Sequence, residues 1–240
     1  MGTRQRIDKI LSNMGYGTRK EVKELIKSGL VEIDGTVVKD SGQQVEVDSH
    51  EIKVSGSRLF YKDFIYLLMN KPQGVISATE DSRERTVVDL LSDEFKAFKP
   101  FPVGRLDKDT EGLLLLTNDG KLSHMLLSPK KHVPKTYLAK VMGKVSEEDV
   151  EAFSKGVTLE DGYKTMASQL EILERGSISQ VEITIYEGKF HQVKRMFQAV
   201  GKEVIYLKRI SMGKLKLDET LEPGGFRELQ EGERRIIGIE

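Results

Sequence analysis

The run Gly112-Leu113-Leu114-Leu115-Leu116 constrains this chain more than any other feature. Consecutive leucines lack the in-out alternation of a half-exposed strand, so the run reads as a strand buried on both faces. Such a strand must be covered from two sides. Just upstream stand Arg105, Asp107, Lys108 and Asp109. A carboxylate at the mouth of a buried strand risks desolvation and needs a cationic partner. Asp107 is therefore a candidate for a positioned, ionised carboxylate; a plain loop aspartate or a salt bridge is the alternative. Downstream, Asn118-Asp119-Gly120 is expected to turn the chain.

Composition enters through charge. Among 240 residues, 38 Lys and Arg balance 38 Asp and Glu. Taken as a sum, that neutrality argues against a nucleic-acid binder, but the charges lie in blocks. Residues 1–30 hold seven bases against three acids, 120–145 hold six lysines and no acid, and 188–216 hold eight bases against Glu203 alone. Acids gather in 146–162 and 218–233. Such blocks point to basic surfaces that face a polyanion, with acidic surfaces turned away. With no cysteine, disulfides, thiolate zinc sites and cysteine nucleophiles are excluded. His50, His124, His132 and His191 lack the spacing of a metal pair, so no metal is expected. The apolar runs Phe64–Met69 and Leu113–Leu116 fall far short of the roughly 20 residues that span a bilayer. A polar N-terminus adds to the expectation of a soluble, cytoplasmic protein with no membrane association.

Along the chain, Ile7, Ile10, Leu11 and Met14 follow helical spacing, and Gly15 can end that helix. Thr18 with Glu21 forms a capping box for a second helix with Val22, Leu25 and Ile26 as its stripe. Two alternating runs around Asp34-Gly35 predict a hairpin, followed by strands at Val45–Val47 and Ile52–Val54. Ser55-Gly56-Ser57 reads as a polar joint between two domains, 1–58 and 59–240. Phe64–Met69 suits a buried strand closed by Asn70-Lys71-Pro72-Gln73-Gly74, and Thr86–Leu91 has helical spacing. Strand-like runs at Thr136–Val141, Val181–Ile185 and Val204–Leu207 alternate with helical ones, which makes the class mixed α and β. Val193, Met196, Phe197 and Val200 form the stripe of one further helix, leaving His191, Lys194, Arg195 and Gln198 on a polar, basic face.

Residues from about 4 to 54, notably Arg6–Leu11, Gly17–Glu21 and Gly29–Gly35, resemble an S4 domain, a small RNA-binding module. That resemblance implies that Arg4, Arg6, Arg19, Lys20 and Lys23 meet phosphates, contacts that position a protein without reading sequence. Gly104–Asp107 with Thr110–Gly120, Lys135-Thr136-Tyr137, Gly188–Met196, Asn70–Gly74 and Leu207–Gly213 resemble the signatures of RNA pseudouridine synthases, best the RsuA branch, which carries an S4 module. The resemblance implies an α+β chain: an S4 domain, then a catalytic domain whose mixed, mainly antiparallel sheet is flanked by helices.

It also implies isomerisation of a specific ribosomal RNA uridine, with no cofactor. Asp107 takes the place of the catalytic aspartate, attacking C1′ or removing a proton from C2′; either role needs an ionised carboxylate. Lys194 matches its basic partner, with Arg195 as the neighbouring alternative. Tyr137 matches the active-site tyrosine, and Arg105 the arginine that fills the gap left by a flipped nucleotide. Lys135, His191, Gln192 and Arg195 are the further expected RNA contacts. The partner is ribosomal RNA or an assembling subunit, met by a monomer. The 16S small-subunit RNA is the first choice of target, and 23S large-subunit RNA the alternative. A non-catalytic RNA-binding or ribosome-assembly protein is the rival from another class; a hydrolytic nuclease or glycosidase is a second rival, which neither a metal cluster nor a clear carboxylate pair in this sequence supports.

Overall fold

A computed structural model describes residues 4–47 and 49–239. By its internal contacts the chain divides into two compact units. One comprises the described residues up to Ile65 together with Leu91–Pro100, and the other Tyr66–Leu90 with Phe101 onward.

In the first unit, β1 (Arg4–Arg6) leads into α1 (Ile7–Asn13) and α2 (Arg19–Lys27). The capping box forms as expected: Thr18 Oγ1 accepts from the Glu21 amide, while Glu21 Oε2 accepts from the Thr18 amide at 2.7 Å. Two unpaired amides at the helix start are thereby satisfied. β2 (Val31–Ile33) and β3 (Thr36–Val37) form the hairpin around Asp34-Gly35, both with positive φ, as a type I′ turn requires. β4 (Gln44–Glu46) pairs with β1, and β5 (Ile52–Val54) pairs with β2 and with β6 (Ser57–Leu59). Ser55 and Gly56, with φ of 51° and 79°, make the two-residue turn between β5 and β6. The polar segment read as a joint is thus a hairpin turn, a role that small polar residues serve equally well. Ile7, Ile10, Leu11, Val22 and Ile26 pack with Val31, Val45 and Ile52 in a core of their own. The short α3 (Asp93–Lys96) also belongs to this unit.

The second unit is built on a nine-stranded sheet. Its strands are β7 (Tyr66–Lys71), β8 (Phe101–Pro102), β9 (Glu111–Thr117), β10 (Lys135–Met142), β11 (Gln169–Glu174), β12 (Ile178–Ile185), β13 (Glu203–Met212), β14 (Leu215–Lys216) and β15 (Phe226–Glu228). The main order is β11-β12-β10-β13-β9-β7-β15; β8 pairs with β9 and β14 with β13. The β13–β9 pair is parallel and the other pairs are antiparallel, so the sheet is mixed and mainly antiparallel. Its helices are α4 (Gly120–Leu127), α5 (Glu147–Lys155), α6 (Gln192–Ala199) and α7 (Glu231–Ile236). The architecture is α+β.

Leu113–Leu116 are fully buried in β9. Leu113 and Leu115 pack with Leu68 of β7 and with Leu122 and Leu126 of α4, which covers one face. Asp119 does more than turn the chain: its Oδ1 accepts from the Lys121 and Leu122 amides and caps α4. Thr86–Leu91 is a turn, not a helix. Asp89 Oδ2 accepts from the Thr86 amide and hydroxyl, and side-chain capture of this kind competes with helical bonding. No helix among the described residues is long and apolar enough to cross a membrane.

Candidate active site

A cleft of about 410 Å³ in the second unit is lined by Gln73, Gly74, Asp107, Lys108, Asp109, His191 and Lys194. Three chain segments meet there, and two of them, far apart in sequence, carry its ionisable groups.

The first is the loop before β9. Arg105 is exposed, Leu106 is buried, and Asp107 is 28% exposed at its side chain. Leu106 fixes the register: its amide donates to Ser77 Oγ at 3.0 Å and its carbonyl accepts from that hydroxyl at 2.9 Å. Lys71 braces the loop from below. It is fully buried at the end of β7, and its ammonium donates to the carbonyls of Pro72, Asp107 and Thr110 at 2.9–3.0 Å. Burial pulls its pKa down to about 8, against the opposing pull of Asp109, Asp107 and Glu111. From the sequence, Lys71-Pro72 suits either an RNA contact or a turn that closes the strand. The missed signal is a lysine continuing an apolar strand, where a charge must find partners.

Gly112 sets the next level. Its φ is +100°, and an added Cβ would lie 2.3 Å from the Arg209 carbonyl oxygen on the parallel neighbour β13. Glycine lets the two strands close here. Arg209, itself buried, donates from Nε to the Leu113 carbonyl at 2.8 Å. Tyr137 is buried on β10 directly opposite Arg209, so Lys71, Gly112, Arg209 and Tyr137 share one face of the sheet. Two strand spacings, about 10 Å, separate the Tyr137 and Gly112 backbones. Neither Tyr137 nor Arg105 is among the described residues that line the cleft.

The second segment is the start of α6, whose Val193, Met196 and Phe197 are buried. The Phe197 ring lies against Phe153 of α5 at 4.9 Å between centroids. This seat turns Lys194 into the cleft, where its ammonium lies 3.4 Å from Asp107 Oδ2 and 2.6 Å from Asp109 Oδ1. His191 Nε2 lies 3.6 Å from the other Asp107 oxygen. Burial works to raise the Asp109 pKa, but the hydrogen bond and charge of Lys194 outweigh it and hold this carboxyl below its usual range. Arg195 turns elsewhere: it meets Glu160 at 2.6 Å and Asp161 at 2.5 Å. Of the two bases, Lys194 faces Asp107.

The other expected RNA contacts divide. Gln192 is buried and braces the loop, accepting from the Lys189 amide at 2.8 Å and donating to Glu187 at 2.7 Å. Lys135 is half-buried, donates to the Val133 carbonyl and has its pKa lowered by burial and by Arg209. In the first unit, Arg19, Lys20 and Lys23 are exposed on α2, whereas Arg4 meets Glu46 at 2.9 Å and Arg6 meets Asp8 at 2.7 Å. The acidic block 146–162 is not simply turned away, because Glu160 and Asp161 fold back onto α6.

A carboxylate between an ammonium and an imidazole, at the edge of a cleft, is equipped to act while ionised on a bound electrophile or proton. Comparisons with known proteins agree in kind. Residues 65–199 match the model of the RNA pseudouridylate synthase family, and residues 5–50 match the S4 domain. An uncharacterised RNA pseudouridine synthase of Bacillus subtilis, YtzG, is 57% identical over 97% of this chain and 98% of its own length. The ribosomal large subunit pseudouridine synthase B of the same organism is 41% identical, covering 94% of this chain and 92% of its own. The ribosomal small subunit pseudouridine synthase A of Vibrio cholerae is 41% identical, covering 95% and 97%. A crystal structure of a pseudouridylate synthase superposes with a TM-score of 0.68 at 36% identity, over 97% of this chain and 99% of that one. The two family matches and the full-length relatives together show that the chain belongs to the RNA pseudouridine synthases of the RsuA branch.

Proposed function

We propose that the protein isomerises one uridine of ribosomal RNA, in the 16S small-subunit RNA, with Asp107 as the catalytic carboxylate. The observation that carries this reading is the position of Asp107, half-buried in the cleft between Lys194 and His191. Lys194 gives the carboxylate a charged partner as RNA displaces water, when unpaired charge becomes costly. Asp107 then attacks C1′, forming a covalent bond that breaks again when C1′ bonds to C5, or takes the C2′ proton and returns it at that step; on either route the bond from C1′ to N1 breaks and the base turns before C1′ bonds to C5. The C5 proton is lost and N1 gains one, so the reaction is redox-neutral and needs no cofactor. Tyr137 stacks on the base and assists loss of the C5 proton, and Arg105 fills the vacancy in the RNA stack.

In this reading residues 1–58 are the RNA-binding domain and 59–240 the catalytic one. Arg4, Arg6, Arg19, Lys20 and Lys23 meet phosphates, as do Lys135 and His191 beside the catalytic centre. Gln192 and Arg195 support the loop that carries His191. The protein works as a monomer in the cytoplasm, on free RNA or an assembling subunit. Relatives named for the small subunit favour 16S RNA, and one named for the large subunit supports 23S RNA as the second reading.

Unmodified small- and large-subunit RNAs, each incubated with the protein and mapped for pseudouridine, test this. One new pseudouridine in the small-subunit RNA is expected. Modification only in large-subunit RNA would move the target, and binding without modification of either would favour the non-catalytic rival.

A further inference from the structure

Phe190 is 74% exposed, the most exposed of the large hydrophobic residues among those described, and the loop that carries it is tied down by hydrogen bonds. The Lys189 amide donates to Gln192 Oε1, Gln192 donates onward to Glu187, and Arg195 Nη1 reaches the Phe190 carbonyl at 3.5 Å. The next residue, His191, is in the left-handed region with φ 48° and ψ 32°, a conformation that a non-glycine residue keeps only when its surroundings impose it. Held this way, the Phe190 ring stacks on the His191 imidazole, with centroids 3.7 Å apart and planes 18° from parallel. One ring face is covered by His191; the ring's high exposure leaves the other available. With so little of it buried, Phe190 is not part of the core.

The surroundings say what would cover it. In sequence Lys189 and Lys194 stand on either side of the pair; Lys194 is committed to Asp107 and Asp109, whereas Lys189 is exposed and lies over the Tyr163 ring at 4.7 Å. An aromatic face beside an exposed lysine suits a nucleobase and its phosphate, because every base offers a π-face whatever its identity. We propose that Phe190, backed by His191, is a stacking platform for the base of a nucleotide next to the target uridine. The inference rests on the proposed function for the identity of the target. Phe190 connects to Asp107 through His191, whose Nε2 lies 3.6 Å from the carboxylate. A base on the outer face of Phe190 is therefore one step removed from the nucleotide whose sugar lies on Asp107. The pair fixes the strand beside the site and so sets which uridine reaches the carboxylate.

The test compares Phe190→Ala, Phe190→Leu and Phe190→Trp in the full-length protein. Two readouts are taken: affinity for the ribosomal RNA segment that the wild-type protein protects, and tritium release from that segment labelled at uridine C5. Ala and Leu are expected to weaken affinity about 5- to 150-fold, the range for one lost stacking contact, and Trp to restore it. Equal behaviour of Leu and Trp, or unchanged affinity in Ala, would overturn the platform. Removing the platform's base should make Phe190→Ala redundant, so abasic RNAs lacking either neighbour of the target complete a cycle. Effects that simply add at both positions would also overturn it. Wild-type protein that binds with the expected Ala, Leu and Trp pattern but releases no tritium would keep the platform and sink the synthase reading.

Discussion

Helices α2 and α6 carry similar basic residues and use them in opposite ways. On α2, Arg19, Lys20 and Lys23 are exposed, and the helix is anchored by Val22 and Ile26 in a separate small core. On α6, Lys194 and Arg195 are only 19% and 14% exposed at their side chains, and each is committed to two carboxylates. Exposed bases keep their hydration and serve any phosphate, which gives salt-dependent affinity without sequence information. Bases drawn into ion pairs give up that freedom and fix the positions of the acids they hold. A count of positive charge treats the two helices alike; burial separates a gripping surface from a reaction site.

The comparison is most exposed at Lys194. Lys194→Met should lower kcat for tritium release by about 10²–10³-fold, the loss typical when a preorganised electrostatic group is removed from an active site. RNA affinity should change far less. A loss confined to KM would place Lys194 with the gripping residues of α2.

Next in size is the support beneath the site. Gly112→Ala puts a Cβ 2.3 Å from the Arg209 carbonyl oxygen at a positive φ, and should destabilise the second unit by about 3 kcal/mol through strain and overpacking. Denaturant unfolding followed in the second unit measures this; a change below about 1 kcal/mol would show that β9 and β13 part easily.

Replacing Arg19, Lys20 and Lys23 together by alanine should leave kcat unchanged. If each meets one phosphate of single-stranded RNA, the slope of log affinity against log salt should fall by about 2. An unchanged slope with reduced kcat would reverse the roles of the two helices.

The smallest effect is a pH drift from Lys71. Its pKa is about 8 when folded, below the lysine value of about 10.4 in an unfolded chain. Between these values the unfolded state binds more protons, so this group adds stability as pH rises from 8 towards 10.4. Unfolding free energy of the wild type minus that of Lys71→Met should climb across that window. A flat difference would mean that the ammonium stays charged among its carbonyls.

What the sequence disclosed follows the range of the interactions involved. The Thr18–Glu21 capping box, the Asp34-Gly35 hairpin and the all-leucine strand β9 were legible because each is specified by neighbours in the chain. Thr86–Leu91 misled because apolar spacing there competes with a Thr–Asp side-chain capture that spacing does not display. Ser55-Gly56 misled because a turn and a linker use the same residues. At the site, Asp107 stood out beside a buried strand and the basic face of 187–198 offered a possible partner, but the choice of Lys194 spans two distant segments and came from family resemblance. Spacing likewise could not show that Arg195 is held by Glu160 and Asp161, or that Lys71 braces the Asp107 loop from inside the sheet.

Tritium release from uridine C5 of unmodified ribosomal RNA, by the wild type and by Asp107→Ala at equal folded concentration, tests the central claim most directly. Release by the wild type and a fall of about 10⁴-fold in the variant, the scale for losing an essential catalytic carboxylate, is the predicted result. Undiminished release by Asp107→Ala would contradict the assignment of the carboxylate between Lys194 and His191 as the group that does the chemistry.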